Sequence, residues 1–434
     1  MNPYCVATYR CYDEKADFAK KALSIAVGLT VGSWTDLPEA KKAEMEKHLG
    51  KVVRVDVHEP EGTGGTISER YADIQIAYPD ANFSRDIPAL LVTVFGKLSM
   101  DGRIKLIDLS FSQDFISAFP GPKFGVQGVR NLLGVHDRPL LMSIFKSVIG
   151  HDISALREQF YLQAAGGVDL IKDDEILFEN PLTPIEKRVE ACIEAAAQSK
   201  RETGQELLYA VNLTGSTFGL IDQARKAIAH GANALLFNVL AYGFDALSEL
   251  SRHPDIKVPI MAHPALAGAF YPSTYHGISA NVLLGKLMRL AGADLVLFPS
   301  PYGSVVMPRE ENMAIKEVLL TEQTSRYIYT GSGHSAGNEG IVTNDIALPL
   351  KTSFPVPSAG IHPGLVPLIL KDFGDQVIVN AGGGVHGHPM GAIAGGQAFR
   401  QAIDACQAGI PLQQYADAQH PELQAAVKLW GIKE

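Results

Sequence analysis

Gly166-Gly167-Val168-Asp169-Leu170-Ile171-Lys172-Asp173-Asp174-Glu175 is a short apolar run that opens on glycines and ends on charge, with helix-like stretches over residues 154–165 and 184–200 on either side. The same alternation continues through the rest of the chain. β-rich runs begin near residues 139, 169, 207, 234, 258, 295, 354 and 376, and helical runs cover 154–165, 184–200, 220–230, 244–253, 280–291, 309–320, 365–373 and 391–408. Eight strand–helix units in a stretch of about barrel length argue for an α/β architecture with a C-terminal (β/α)8 barrel rather than an open doubly wound sheet. Upstream, strand-like runs at 5–12, 52–58 and 74–78 and helix-like runs at 14–27 and 86–94 describe a small α+β domain. The expected division is residues 1–125 for that domain and 126–434 for the barrel with a helical C-terminal extension. The widest gap between barrel elements, 321–351, carries Gly331-Ser332-Gly333-His334-Ser335-Ala336-Gly337-Asn338 and is expected to be a surface excursion or lid.

Composition agrees with this layout. A chain of 434 residues with 46% hydrophobic and 20% charged residues is globular and too long for one core, which excludes disorder. The balance of 38 Lys+Arg against 47 Asp+Glu gives −9, and without a basic run nucleic acid is not an expected partner. Cys5, Cys11, Cys192 and Cys406 form no C-x-x-C pair, so neither a disulfide framework nor a cysteine zinc site is expected. The first residues lack a basic segment followed by an apolar one, and no apolar run reaches about 18 residues. A cytoplasmic protein without a membrane partner is the expectation.

In a barrel the chemistry sits at the C-terminal strand ends, and here those ends are polar. Strand alternation puts Lys172 and Asp174 on one face, and Glu175 can turn into the same site. Two carboxylates beside a lysine suit Mg²⁺ only if the ammonium is neutralised. Desolvation frees a lysine amine, which can add CO₂ to give an anionic carbamate oxygen. The same residues also read as an ordinary ion pair at a strand end. Ser358-Ala359-Gly360 and Gly382-Gly383-Gly384 offer backbone N–H groups where barrels bind phosphate, so a phosphorylated small molecule is the expected substrate; tight-turn glycines are the alternative. Lys146 ends the first strand and His263 the fifth. His386 and His388 form an H-x-H pair, which after a triple glycine reads better as turn support than as a metal site. Lys97, in Val94-Phe95-Gly96-Lys97-Leu98, reads by default as a surface lysine.

The 166–175 segment, Phe119-Pro120-Gly121-Pro122-Lys123-Phe124-Gly125 and Gly382-Gly383-Gly384-Val385-His386-Gly387-His388-Pro389 together resemble the ribulose-bisphosphate carboxylase superfamily, in the same order and over nearly the whole chain. The resemblance implies an N-terminal ferredoxin-like α+β domain, a C-terminal barrel, and a homodimer whose active sites lie between one barrel and the partner's N-terminal domain. It assigns Lys172 as the carbamylated lysine, Asp174 and Glu175 as Mg²⁺ ligands, Lys146 as the first-strand lysine and His263 as the fifth-strand histidine. Mg²⁺ and CO₂ are the implied cofactors.

The departures narrow the activity. Carboxylases carry a mobile lysine after the sixth strand, whereas Phe298-Pro299-Ser300-Pro301-Tyr302-Gly303-Ser304-Val305-Val306 has none. Val148, Pro264, Gly28 and Thr93 replace a lysine, an arginine, a glutamate and an asparagine of the carboxylase pattern. What is left resembles the carboxylase-like 2,3-diketo-5-methylthiopentyl-1-phosphate enolase family of methionine salvage. Ala26-Val27-Gly28-Leu29-Thr30, Trp34-Thr35-Asp36-Leu37-Pro38, Phe95-Gly96-Lys97-Leu98-Ser99 and Pro357-Ser358-Ala359-Gly360-Ile361-His362-Pro363-Gly364 carry that likeness. It implies Lys97 as general base, with Lys146, His263, Ser358, Gly360, Gly382 and Gly383 binding the substrate. Three other functions compete: isomerisation of a related sugar phosphate such as 5-methylthioribulose-1-phosphate, a Schiff-base aldolase using Lys146 or Lys172, and a barrel serving only as a scaffold.

Overall fold

The computed structural model describes residues 4–32, 38–60, 69–329 and 341–433. Trp34-Thr35-Asp36-Leu37 and the 331–338 segment lie outside the described residues.

The chain forms two compact units. The first takes in residues 1–120 together with Leu266–Ala291 and Thr321–Leu350. Its sheet runs Gly277–Ile278, Ile104–Ser110, Tyr4–Tyr12, Tyr71–Pro79, Lys51–His58, with the last four antiparallel to one another and the first parallel to Ile104–Ser110. Helix Phe18–Gly28 crosses between Tyr4–Tyr12 and Lys51–His58, and the segment opened by helix Ile87–Leu91 crosses between Tyr71–Pro79 and Ile104–Ser110. This is the βαββαβ order of a ferredoxin-like sheet. Asp17 and Asp86 start the two helices by accepting N–H bonds from Lys20 (3.1 Å) and Ala89 (2.7 Å).

The strand Ile104–Ser110 was not apparent in the sequence pattern, and the register gives the reason. Leu106 faces Tyr9 and Asp108 faces Thr8, so Ile107 is an extra, bulged residue that breaks the period of two. Residues 321–351, expected as an excursion, hold an antiparallel pair, Gln323–Tyr329 with Ile341–Ala347.

The second unit takes in Gly121–Ala265, Gly292–Leu320 and Lys351–Glu434. Its eight parallel strands are Leu140–Ile144, Leu170–Lys172, Leu208–Asn212, Ala234–Phe237, Ile260–Ala262, Leu295–Pro299, Phe354–Ser358 and Ile378–Asn380. Each begins within two residues of its expected position. Hydrogen-bonded neighbours run from the seventh strand through the sixth, fifth, fourth, third, second and first to the eighth. The two ends meet where Asn380 Nδ2 donates to Ser358 Oγ at 2.8 Å, which makes the sheet a barrel.

Alternation then fixes what lies inside. Leu140, Met142, Leu170, Leu208, Ala210, Leu236, Met261, Leu295, Leu297, Phe354, Val356 and Ile378 form one buried apolar cluster. Two residues on, toward the C-terminal ends, the same faces present Lys172, Asn212, Asn238, His263, Ser358 and Asn380. The interior turns from apolar to polar in a single layer.

At the opposite end, Asp169 joins three segments. Its carboxylate accepts two bonds from Arg138 (2.8 and 2.9 Å) and one from Leu141 N–H (2.8 Å), and lies 2.6 Å from Arg400 Nη2. Burial pushes the Asp169 carboxyl up, but Arg138 and Arg400 outweigh it and hold it below the ordinary carboxylate range. Its contribution is therefore present above about pH 4, the unfolded-state value, and is lost as pH falls further. Asp169→Ala leaves two guanidinium groups unpaired and is expected to cost about 3–5 kcal/mol. Urea unfolding at pH 7 reads this loss, and the gap between variant and parent should shrink as pH is lowered below 4. An equal urea midpoint for both proteins at pH 7 would contradict the assignment.

Candidate active site

The polar layer of the barrel gathers the residues singled out in the sequence. Lys172 closes the second strand with only 1% of its side chain exposed, and its Nζ donates to Asp173 O at 3.0 Å. Glu175 Oε2 stands 3.6 Å from Lys172 Nζ and 3.6 Å from His263 Nε2; Asp174 Oδ2 stands 3.6 Å from Lys146 Nζ. Burial holds the Lys172 amine below the ordinary lysine range, against the pull of Glu175 and Asp174 and with help from Lys146. Burial also raises the Glu175 carboxyl, but Lys172 leads the charges that bring it below the usual range. His263 is pushed well below the ordinary histidine value by burial, then by Lys172 and Lys146, so its ring is neutral near pH 7. Ala265 N–H donates to its Nδ1 at 3.2 Å, which leaves the proton on Nε2, toward Glu175.

Asp173 points the other way, as alternation demands. Fully buried, it accepts from Arg188 (3.2 Å), Tyr209 OH (2.6 Å) and Asn212 N–H (2.8 Å). Arg188 and Tyr209 were not singled out in the sequence. Asn212 and Asn238 were visible as polar strand ends, but nothing in the sequence disclosed their contacts. Asn212 Nδ2 donates to the carbonyls of Asp174 (3.3 Å), Glu175 (2.9 Å) and Leu177 (3.2 Å), and Asn238 Nδ2 donates to Glu175 O (3.2 Å) and Thr214 Oγ1 (2.6 Å).

The seventh and eighth strand ends provide backbone rather than side chains. Ser358 Oγ is already engaged, donating to Val356 O and accepting from Asn380. Ala359 and Gly360 both take positive φ, 74° and 67°; the glycine adopts it freely, whereas at Ala359 it is strained backbone of the kind stored at functional sites. Gly382–His386 is a short helix whose first internal bond runs from Val385 N–H to Ala381 O, so the helix leaves the N–H groups of Gly382, Gly383 and Gly384 without partners of its own. A side chain at Gly383 would meet open space. His386 and His388 are turn supports, as expected: their Nε2 atoms lie 2.8 Å from Ile144 O and 2.9 Å from Glu422 O.

The loop after the sixth strand is fastened at its base. Tyr302 OH donates to Asp372, which also accepts from Arg309 Nε at 3.0 Å. Gly303 lies so close to Ala359 that a Cβ would come within 1.6 Å of its carbonyl oxygen. Val305 and Val306 stand out from this loop, 55% and 65% exposed.

Lys97 belongs to the first unit. The Ile87–Leu91 helix widens into a π-helical stretch, Val92–Gly96, and Lys97 follows directly with an exposed side chain. Tyr9, fully buried in the sheet, fixes this stretch by donating to Val94 O at 2.5 Å, and Tyr78 OH donates in turn to Tyr9 at 2.7 Å.

The donor set of the barrel suits Mg²⁺ on one condition. Among the described residues no three His, Cys, Asp or Glu side chains converge on a metal position. Asp174 and Glu175 give two carboxylates, and a third anionic oxygen has to be made on the buried amine of Lys172, which CO₂ addition would do.

The sequence pattern described as ribulose bisphosphate carboxylase large chain, catalytic domain, matches residues 125–430, about the whole of the barrel and the helices after it. The chain belongs to that carboxylase large-chain family. Within the family it is 51% identical over 432 residues to a protein of Geobacillus kaustophilus named 2,3-diketo-5-methylthiopentyl-1-phosphate enolase, covering 99% of this chain and 98% of that one. A rubisco-like protein (MtnW) from Alicyclobacillus acidocaldarius superposes with a TM-score of 0.86 at 46% identity, covering 99% and 100% of the two chains. A dimeric archaeal Rubisco from Hyperthermus butylicus superposes at 0.83 with 29% identity, covering 99% and 96%. The sixth loop of the present chain is held at its base by the Tyr302–Asp372 contact. Tyr302→Phe removes one half-buried hydrogen bond of about 1 kcal/mol, and amide exchange over residues 302–307 is expected to quicken roughly fivefold while the rest of the barrel keeps its protection. Unchanged exchange in that loop would show that the tether does not hold it.

Proposed function

We propose that the protein is a Mg²⁺-dependent enolase that converts 2,3-diketo-5-methylthiopentyl-1-phosphate to 2-hydroxy-3-keto-5-methylthiopentenyl-1-phosphate in methionine salvage. The reaction is an isomerisation: one C–H bond at C1 breaks, one O–H bond forms on the C2 oxygen, and nothing is carboxylated. The observation that carries the proposal is the buried Lys172 amine facing Asp174 and Glu175 in a barrel whose sixth loop has no lysine to hold CO₂ as a substrate. The name of the Geobacillus relative supports the choice of substrate.

Lys172, as its carbamate, would hold the cation together with Asp174 and Glu175. When bound, Mg²⁺ supplies Lewis-acid polarisation of the substrate's neighbouring carbonyl oxygens. Lys97 accepts the C1 proton on Nζ. Lys146 and His263, both within the polar layer or just above it, orient the oxygens, and the backbone near Ser358, Gly360, Gly382 and Gly383 receives the phosphate. Two copies of the chain form a homodimer in which Lys97 of one serves the barrel of the other; that the Hyperthermus protein is named as dimeric supports the dimer, and the sharing of the site is part of this proposal. A cytoplasmic location belongs to the same proposal, in keeping with the finding that no helix among the described residues is long and apolar enough to cross a membrane.

Four measurements test this. Turnover of the diketo phosphate should rise after preincubation with bicarbonate and Mg²⁺, and Lys172→Ala should abolish it and weaken Mg²⁺ binding; full activity in chelator-treated, CO₂-free enzyme would sink the metal assignment. With ribulose bisphosphate, no labelled CO₂ should enter any product. Lys97→Ala should lower kcat by roughly 10² to 10⁴ while the fold is retained, and should stop exchange of the C1 proton with deuterated solvent. Mixing Lys97→Ala chains with Lys172→Ala chains should recover activity, since one site of each mixed dimer has both lysines; no recovery after proven subunit exchange would place Lys97 outside the partner's site.

A further inference from the structure

We infer that Asn212 and Asn238 are positioning residues that hold the turn carrying Asp174 and Glu175 in the geometry the cation needs; this rests on the metal site proposed above. The second barrel strand ends at Lys172, so both carboxylates sit on irregular backbone beyond the ladder. Their charged partners, Lys146 and Lys172, lie 3.6 Å away, too far for firm hydrogen bonds. What fixes the turn is its main chain. Three carbonyls, those of Asp174, Glu175 and Leu177, converge on Asn212 Nδ2 at 3.3, 2.9 and 3.2 Å. Its Oδ1 accepts from Thr214 N–H (3.0 Å) and Thr214 Oγ1 (2.7 Å), so the amide can sit only one way round. From the other side Asn212 N–H holds the Asp173 carboxylate at 2.8 Å, so one residue grips the turn through backbone and side chain together.

Asn238, from the next strand, adds a second donor to Glu175 O at 3.2 Å and ties itself to Thr214 Oγ1 at 2.6 Å. Carbonyl oxygens need donors, so an aspartate could not serve here, and both positions are buried, at 1% and 5% exposure, where water cannot substitute. Groups that orient metal ligands in this way typically contribute 10- to 100-fold in metal affinity.

The test compares full-length parent, Asn212→Ala, Asn238→Ala and Asn233→Ala. Asn233 is a control that bonds only backbone at the start of the third strand: its Oδ1 accepts from Tyr209 N–H at 2.6 Å and its Nδ2 donates to Leu207 O at 2.8 Å, with no bond to the 174–177 turn. Mg²⁺ affinity is measured by calorimetry in bicarbonate buffer without substrate, the carbamate by its ¹³C signal, and stability by urea unfolding. Asn212→Ala is expected to weaken Mg²⁺ binding 10- to 100-fold and Asn238→Ala less. Asn233→Ala should bind Mg²⁺ like the parent even though its unfolding midpoint falls. Excess Mg²⁺ should restore kcat in the Asn212 and Asn238 variants. If Asn212→Ala does not fold, Asn238→Ala decides alone. Parental Mg²⁺ affinity in the asparagine variants, or equal loss in Asn233→Ala, overturns the inference and leaves the enolase proposal standing. A parent that binds no Mg²⁺ overturns both.

Discussion

A primary amine with 1% of its side chain exposed has to be paired, deprotonated or chemically converted, because an isolated ammonium in a protein interior is very costly. Lys172 is in that position, and much of the barrel mouth follows from it. Glu175 and Asp174 stand near enough to favour its charge but too far to satisfy it, while burial and Lys146 push the other way. The balance falls below the ordinary lysine range, so more of the neutral, nucleophilic amine is present at a given pH than in an exposed lysine. Burial first, and then the same two lysines, keep His263 neutral, so the imidazole presents an N–H instead of a further positive charge.

The parity of the strands makes this possible. A β-strand turns successive side chains to opposite faces, so a barrel filled with Leu, Met and Val two residues below must present whatever comes next to the same axis. Lys172, Asn212, Asn238, His263, Ser358 and Asn380 come next. Asp173, one step out of phase, is turned into the helix layer and becomes the anchor for Arg188 and Tyr209. A slip of one residue in the second strand would exchange the roles of the two neighbours.

Much of this was legible in the sequence. The barrel strands announce themselves as short apolar runs between helices, and the charged run that follows Leu170-Ile171 marks its own strand end. Ile104–Ser110 escaped because a bulge at Ile107 scrambles the period that identifies a strand. The asparagine contacts escaped for another reason. Asn212 looks the same in sequence whether its amide meets water or three converging carbonyls, and only the path of the 174–177 turn tells the two apart. Lys97 lies at the opposite extreme. An exposed lysine after a π-helical stretch has no local feature that distinguishes it from a surface residue, and only family likeness draws attention to it. The His386–His388 pair illustrates the converse, since its context of three glycines already argued for turn support.

The first unit is stitched together from three separate stretches of chain, 1–120, 266–291 and 321–350. Its strand Ile104–Ser110 is completed on the outer side by Gly277–Ile278, with Lys286 Nζ reaching Asp108 at 2.6 Å and Ser279 Oγ donating to Ile107 O at 2.8 Å. On the ribosome, that edge therefore stays open from the moment residue 110 emerges until nearly 170 further residues have been made. Throughout that interval the edge N–H and C=O groups around Lys105 and Leu106, which Gly277–Ile278 later pair, are left to water or to a neighbouring chain.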